Sequence, residues 1–313
     1  MMLRTLLMLV GIVPSSLAED ACLNLADPII DVHIHAYAKD SRLSGRVPNP
    51  FSGVPSSATD GQSHRNLTVQ AIEDAGIVRA IVSGESLSAS KAMVAADPIR
   101  LRLGFEVDAV PGPEDLERIR QLHAAGELTL IGEIAPQYVG VAPNDPRMEP
   151  FWSLAEDLQL PVGYHMASGP RDIVYSAFPD HRAALGNPLL IEEVLVRHPK
   201  LKLFIMHGGF PFADAMQALM SAYPRVYLDL GAIHFYEART AFHAYLRRMI
   251  EAGFGERIMF GSDQMTWPEA IAQSISAYKE ADYLSEKERR DIFFNNAVRF
   301  FEWNDLAGCT IEE

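Results

Sequence analysis

Two histidines separated by one residue stand out in the segment Asp31-Val32-His33-Ile34-His35. Side chains alternate between the two faces of an extended strand, so both imidazoles would project from the same face. Paired imidazoles are common ligands of transition metals, although a lone buried histidine is more often a hydrogen-bonded core residue. The pair therefore raises the hypothesis of a metal site that further residues must complete.

Three more residues of suitable chemistry each follow a short apolar run. His165 comes after residues 160–164, His207 after 203–206 and Asp263 after 258–262. Imidazole and carboxylate ligands suit Zn, Mn, Fe or Ni better than Ca or Mg, and the lack of thiolates argues for an open catalytic site. We expect one or two divalent ions, with Zn as the first candidate.

Glu133 ends another apolar run, residues 129–132, and is the sixth candidate ligand. A carboxylate at this place could bridge two metals. It could equally orient a ligating histidine or pair with an arginine.

Apolar runs rich in β-branched residues alternate with amphipathic stretches, which predicts a (β/α)8 TIM barrel as a single domain over residues 19–313. No glycine-rich phosphate turn follows the first run, which disfavours a doubly wound sheet. Parallel strands of a barrel end at one face, where polar residues line the active site, so the six candidate ligands should meet there. Residues 37–65, rich in Pro, Gly and Ser, predict a loop over that face that could act as a lid. The eight predicted strands are 29–35, 78–83, 101–107, 128–134, 161–165, 201–207, 225–230 and 257–262, and predicted helices include 68–75, 113–125, 149–158, 189–198, 212–222 and 241–252.

Residues 1–18 are typical of an export signal, with Arg4, an apolar run at 6–13 and Ser16-Leu17-Ala18 before the cleavage point. The alternative is a frayed or buried N-terminal helix. We expect an exported protein, periplasmic or secreted. In that oxidising compartment the two cysteines, Cys22 and Cys309, could form a disulfide or remain free thiols.

The chain carries 41 acidic and 27 basic side chains, a formal net charge of −14. Nucleic-acid binding normally needs a basic face, so we expect no nucleic-acid partner. No segment after the signal is long and apolar enough to cross a membrane. The expected partner is a small-molecule substrate, and a homo-oligomer is compatible with the sequence.

The sequence resembles the amidohydrolase superfamily, and within it the second amidohydrolase branch, which includes aminocarboxymuconate-semialdehyde and resorcylate-type decarboxylases. The resemblance implies that His33 and His35 bind one metal with Asp263, while His165 and His207 bind a second metal or contact substrate. Glu133 stands where many binuclear members carry a modified lysine, and is similar to the bridging glutamate of TatD-type hydrolases. The resemblance covers nearly the whole mature chain and rests on residues 31–35, Pro150-Phe151-Trp152, residues 160–165, Asn187-Pro188-Leu189, His198-Pro199, residues 206–209, residues 259–263 and residues 295–300.

These residues predict a hydrolase of small-molecule esters, lactones or amides. Metal-activated water would attack the carbonyl, Asp263 would act as general base, and His207 or His165 would stabilise the oxyanion. Non-oxidative decarboxylation of an aromatic or unsaturated acid is the first alternative, and an inactive binding barrel the second. The predicted substrate contacts are Ser168, Arg182 and Gln264.

Overall fold

The computed structural model describes residues 27–38, 43 and 47–309. Eight parallel strands pair in chain order, and backbone hydrogen bonds from Val32 N–H to the Phe260 carbonyl (3.0 Å) and from Asp263 N–H to the His33 carbonyl (2.8 Å) join the last strand region to the first. The predicted single-domain TIM barrel is therefore confirmed. The strands are β1 Ile29–Ala36, β2 Ile77–Gly84, β3 Leu101–Val107, β4 Leu128–Ile134, β5 Val162–His165, β6 Leu203–Met206, β7 Val226–Asp229 and β8 Ile258–Met259.

The third and fourth strands have the predicted bounds, whereas β6 and β8 are shorter than predicted. The backbone φ of His207 is +60° and that of Asp263 is +49°. Such left-handed angles are incompatible with an extended strand, so the chain turns away from the sheet where it presents these two side chains.

Helices alternate with the strands around the barrel. Helix α1 begins seven residues before the predicted start at 68, because Asp60 and Ser63 form a reciprocal capping box in which the Asp60 side chain accepts the Ser63 N–H at 2.8 Å. The predicted helices were examples, and they did not include α2, α5, α8, α10, α11 and α12. The helices are α1 Gly61–Asp74, α2 Leu87–Ala96, α3 Pro113–Ala124, α4 Glu149–Leu158, α5 Ile173–Ser176, α6 Glu192–Arg197, α7 Ala213–Ala222, α8 Ile233–Tyr236, α9 Arg239–Glu251, α10 Ala270–Lys279, α11 Glu286–Arg290 and α12 Asn296–Phe301, with a π-helical turn at Asp291–Asn295 before α12.

The long segment after β1 lies against the chain that follows β8. The Trp267 indole N–H donates to the Val47 carbonyl at 2.8 Å, and the Ser56 hydroxyl donates to the Thr266 carbonyl. Val47 and Ser56 therefore lie near Asp263, beside the carboxyl ends of the strands. The last residues of the predicted loop, from Gly61, belong to α1.

Two large apolar clusters hold the barrel together. The larger packs strand residues against the surrounding helices, and the smaller joins Ile30, Leu130 and Phe204 to Phe294 and Phe300 of the C-terminal segment. Burial of this surface supplies most of the stabilisation that fixes the strand ends.

The predicted export signal at 1–18 and Cys22 lie outside the described residues, so cleavage and the pairing with Cys309 stay predictions. Among the residues that the structure describes, none of the helices combines the length and the apolar character that a bilayer crossing needs.

Candidate metal centre

One half of the candidate site is formed by the two histidines of β1 and two carboxylates. The Nε2 atoms of His33 and His35 lie 3.2 Å apart. Glu133 Oε2 is 3.6 Å from the first and 3.4 Å from the second, and Asp263 Oδ1 is 3.8 and 3.1 Å from them. Two nitrogens and two oxygens from three regions of sequence thus converge on one point.

The other half lies on the opposite oxygen of the same glutamate. Glu133 Oε1 contacts His165 Nδ1 and lies 3.0 Å from His207 Nε2, and those two nitrogens are 2.8 Å apart. The groups His33, His35, Glu133 and Glu133, His165, His207 each bring ligand atoms within 4.8 Å of one another. The structure therefore brings all six predicted ligands together, with Glu133 in both groups.

Two carboxylates that the sequence analysis missed orient the histidines of β1. Asp229 Oδ2 lies 3.1 Å from His33 Nδ1, and Glu106 Oε2 lies 3.0 Å from His35 Nδ1. Carboxylates only accept hydrogen bonds, so each Nδ1 carries a proton, which leaves Nε2 as the nitrogen that can bind a metal. Asp229 ends an apolar strand run as the predicted ligands do, so the rule that found them could have identified it.

The donor set fits a divalent metal. The two Nε2 atoms face each other at 3.2 Å with carboxylate oxygens beside them, so the cluster needs a positive charge among these atoms, either a proton on an imidazole or a metal ion. Asp263 Oδ1 and His165 Nε2 are also buried without a hydrogen-bond partner in the described protein. Groups of this kind are costly to bury unless an ion or a ligand satisfies them.

The electrostatic environment is equally suited to a cation. Burial lowers the pKa of His33, but Asp263 and Asp229 outweigh it and raise that pKa well above the usual value. Burial raises the pKa of Glu133, but His165 outweighs it and holds that pKa well below its usual range. For His165, burial and then His207 lower the pKa. The carboxylates attract positive charge into the site, and a divalent ion competes with protons for the same atoms.

Asp31 and two glycines fix His33 against the strands beside it. Asp31 Oδ1 accepts the backbone N–H groups of His33 and Ser262, both at 3.0 Å. A Cβ on Gly231 would come within 2.8 Å of His33 Nδ1, and one on Gly261 within 2.8 Å of His33 Cβ. These close approaches require glycine, because any larger residue would displace the imidazole.

The three predicted substrate contacts lie in different places. Ser168 is in the wall of the cavity above the metal-ligand cluster. Arg182 is not in that wall and donates to the carbonyls of Pro179 and His181. Gln264 is fully buried behind the wall, where its Oε1 accepts His35 N–H at 2.9 Å and its Nε2 donates to His35 O at 2.7 Å. Arg182 and Gln264 thus hold backbone in this structure, and Ser168 is the member of the three that lines the cavity.

The cavity has a volume of about 320 Å³, enough for a small molecule. Its floor carries His35, Glu133, His165, His207 and Asp263. Its walls are largely aromatic and apolar, and include Tyr37, Tyr138, Phe178, Phe210, Tyr236 and Met265.

Comparison with known proteins identifies the family of the chain. The family model described as Amidohydrolase matches residues 30–303. Among curated proteins, the FluG protein of Emericella nidulans is 24% identical over 160 residues, which cover 46% of this chain and 18% of FluG. The chain thus spans about a fifth of the length of that relative.

Solved structures share the fold at low identity. An uncharacterized TIM-barrel protein from Bordetella bronchiseptica has a TM-score of 0.67 at 18% identity, covering 90% of this chain and 99% of its own. A probable 2-pyrone-4,6-dicarboxylic acid hydrolase from Acinetobacter baumannii with bound citric acid has a TM-score of 0.60 at 14% identity, and the match covers 88% of this chain and 99% of that chain. A 5-carboxyvanillate decarboxylase from Novosphingobium aromaticivorans, complexed with manganese and a nitrobenzoic acid ligand, has a TM-score of 0.58 at 14% identity, and the match covers 89% of this chain and 96% of that chain.

Proposed function

The chain belongs to the amidohydrolase family, and on this basis we propose that it is a metal-dependent hydrolase of an ester, lactone or amide bond in a small molecule. The observation that carries the proposal is the position of Glu133. Its two oxygens face different histidine pairs, Oε2 toward His33 and His35 and Oε1 toward His165 and His207. A carboxylate shared in this way suits two ions a few ångströms apart, the arrangement that two-metal hydrolases use.

A bound divalent ion supplies Lewis acidity to the scissile carbonyl and to the attacking water. Asp263, in the cavity floor, accepts the proton of that water and returns it to the leaving group. Nδ1 of His165 is the ring nitrogen that faces Glu133 and His207, so a metal held there would leave the ring proton on the buried Nε2, which would then donate to the developing oxyanion. Zn is the proposed metal, and Mn is the first alternative, since a solved relative binds manganese.

The proposal is tested by counting metal in the purified protein beside Glu133→Gln, with Glu251→Gln on the exposed end of α9 as the control. We expect about two equivalents in the wild type and the control. We expect about one in Glu133→Gln, together with loss of hydrolysis across a panel of lactones, esters and amides. One equivalent in all three proteins would refute the bridging role, and none in the wild type would refute the metal-dependent function.

Non-oxidative decarboxylation is the second candidate. The set His33, His35 and Asp263 can hold a single ion without the other histidines, and a solved structure with this fold is named a decarboxylase. Carbon dioxide release from hydroxybenzoates, with no hydrolysis of the panel, would favour this reaction over ours.

We also propose export of the protein, supported by the signal-like pattern of residues 1–18. Expression of the full gene product should yield a mature N-terminus at Glu19 outside the cytoplasm. Retention of residues 1–18 in the cell-associated protein would contradict export.

A further inference from the structure

Gln137 is a buried polar side chain that the proposed reaction does not use. It lies in the short 3₁₀ turn Pro136–Val139 after β4, and only 1% of its surface is exposed. Its Nε2 donates to the Ala167 carbonyl at 2.6 Å, and its Oε1 lies 3.5 Å from the Ala167 nitrogen. A carbonyl oxygen only accepts hydrogen bonds, so the amide nitrogen must be the atom that faces it. Gln137 therefore contacts both backbone groups of a residue on the next strand-end loop.

Ala167 belongs to the loop after β5, which forms one wall of the active-site cavity. That wall contains Ala167, Ser168, Gly169 and Pro170. Ser168 is the member of this run with a polar side chain, and its backbone N–H donates to the Phe210 carbonyl at 2.9 Å. A polar group of a ligand beside this wall can therefore meet the Ser168 hydroxyl, but no other polar side chain of the run.

The other side of the loop packs on His181. A Cβ on Gly169 would come within 2.6 Å of the His181 ring, and the φ of Gly169 is +83°, so this close contact requires glycine. Gln137 Nε2 lies 3.1 Å from His181 Nε2. The side chain that holds Ala167 thus also contacts the ring against which Gly169 packs, and the backbone on each side of Ser168 is fixed.

We propose that Gln137 is a positioning residue for substrate binding. By holding Ala167, it fixes the place from which Ser168 offers its hydroxyl to a polar group of the substrate, such as a hydroxyl or carbonyl oxygen. This inference rests on the proposed function, since it assigns a substrate to the cavity. A purely structural Gln137 would change the free energy of unfolding but not ligand affinity. A positioning Gln137 changes affinity, and loses that effect once the Ser168 hydroxyl is removed.

The binding test is a double-mutant cycle on Gln137→Met and Ser168→Ala. The probe is salicylhydroxamic acid, whose hydroxamate binds metal and whose phenol adds a second polar group, titrated calorimetrically into the metal-loaded protein. We expect each single variant to weaken binding about fivefold, the effect of one hydrogen bond, and the double variant to bind no more than about twofold more weakly than Ser168→Ala. Wild-type affinity in either single variant, or a double variant about 25-fold weaker than the wild type, would overturn the proposal.

Two further variants guard this result. Gln70→Met is the matched control, because it removes an exposed glutamine of α1 that donates to Asp74 at 2.9 Å, and it should bind the probe like the wild type. Gly169→Ala displaces the loop from its other side and leaves Gln137 in place, so it decides the matter if Gln137→Met does not fold. We expect Gly169→Ala to weaken probe binding about fivefold or more. Wild-type affinity in Gly169→Ala would contradict a dependence of binding on the loop.

The turnover test uses phenyl acetate, δ-valerolactone and acetanilide. On a substrate that is hydrolysed, Gln137→Met should raise KM about fivefold and change kcat less than about twofold, with unchanged metal content. A fall in kcat at constant KM would overturn the proposal, because it would place the effect of Gln137 at the metal ligand His165 instead of at Ser168. Coupled loss of probe binding without hydrolysis of any of the three compounds would refute the hydrolase function and leave the positioning role intact.

Discussion

Replacement of Asp229 by asparagine should weaken metal binding by His33, although Asp229 is not itself among the proposed metal ligands. Asp229 is fully buried and accepts three hydrogen bonds, from His33 Nδ1 at 3.1 Å, from His207 N–H at 3.0 Å and from Gly231 N–H at 2.8 Å. An asparagine has only one acceptor oxygen. If that oxygen stays with the two backbone groups, the amide NH₂ faces His33 Nδ1, and two donors oppose each other.

The lower-cost response is a change of tautomer at His33. Its Nδ1 would become the acceptor, and Nε2, which lies 3.2 Å from His35 Nε2, would carry the proton and cease to bind metal. Loss of a carboxylate that orients a histidine ligand typically weakens metal binding by about 10- to 100-fold. That factor corresponds to about 1.4 to 2.7 kcal/mol.

The assay is competition for zinc with a chromophoric chelator at pH 7.5, with Glu106→Gln as the matched control. Glu106 accepts one hydrogen bond, from His35 Nδ1, so the glutamine can turn its oxygen to that nitrogen. We expect a decrease in affinity of less than about fivefold for Glu106→Gln and at least about tenfold for Asp229→Asn. An Asp229→Asn protein with wild-type affinity would refute the tautomer reasoning.

Three further outcomes are expected. Asp263→Asn should retain at least one metal equivalent, and its kcat on the best substrate of the panel should fall at least about 100-fold, because the general base is lost. An unchanged kcat would refute that role and favour an inactive binding barrel. Gln264→Leu should lower the free energy of unfolding by about 1–3 kcal/mol and weaken metal binding through His35, because the leucine leaves two buried backbone groups of His35 unpaired. KM should change little, and a raised KM with unchanged stability would restore Gln264 as a substrate contact. Burial lowers the pKa of His64 to about 4, below the value of 6.5 that the unfolded chain retains. The unfolded chain therefore binds more protons between these pH values, so the free energy of unfolding of the metal-free protein should rise with increasing pH, and decrease on acidification, by up to about 1.4 kcal/mol per pH unit in that window. Urea titrations should show a flatter pH dependence for His64→Gln, and an equal slope would contradict this assignment.

The barrel and its ligands could be predicted because both depend on local patterns. Each strand is a short apolar run with turn residues after it, and each of His165, His207 and Asp263 follows its own run. The carboxyl ends of all strands in a closed barrel lie at one face, so the order along the chain was enough to bring these residues together. Helix α2 was missed because its sequence, Leu87–Ala96, mixes serine and alanine with few large apolar residues at helical spacing.

The functions of polar neighbours depended on contacts that no local pattern records. Gln264 follows Asp263 directly, yet its side chain bonds to the backbone of β1. Asp229 and Glu106 serve histidines 196 and 71 residues away in sequence. The sequence by itself determined the architecture and the residue types at the strand ends, whereas hydrogen-bond partners and burial were decided by distances between remote segments, which only tertiary packing sets.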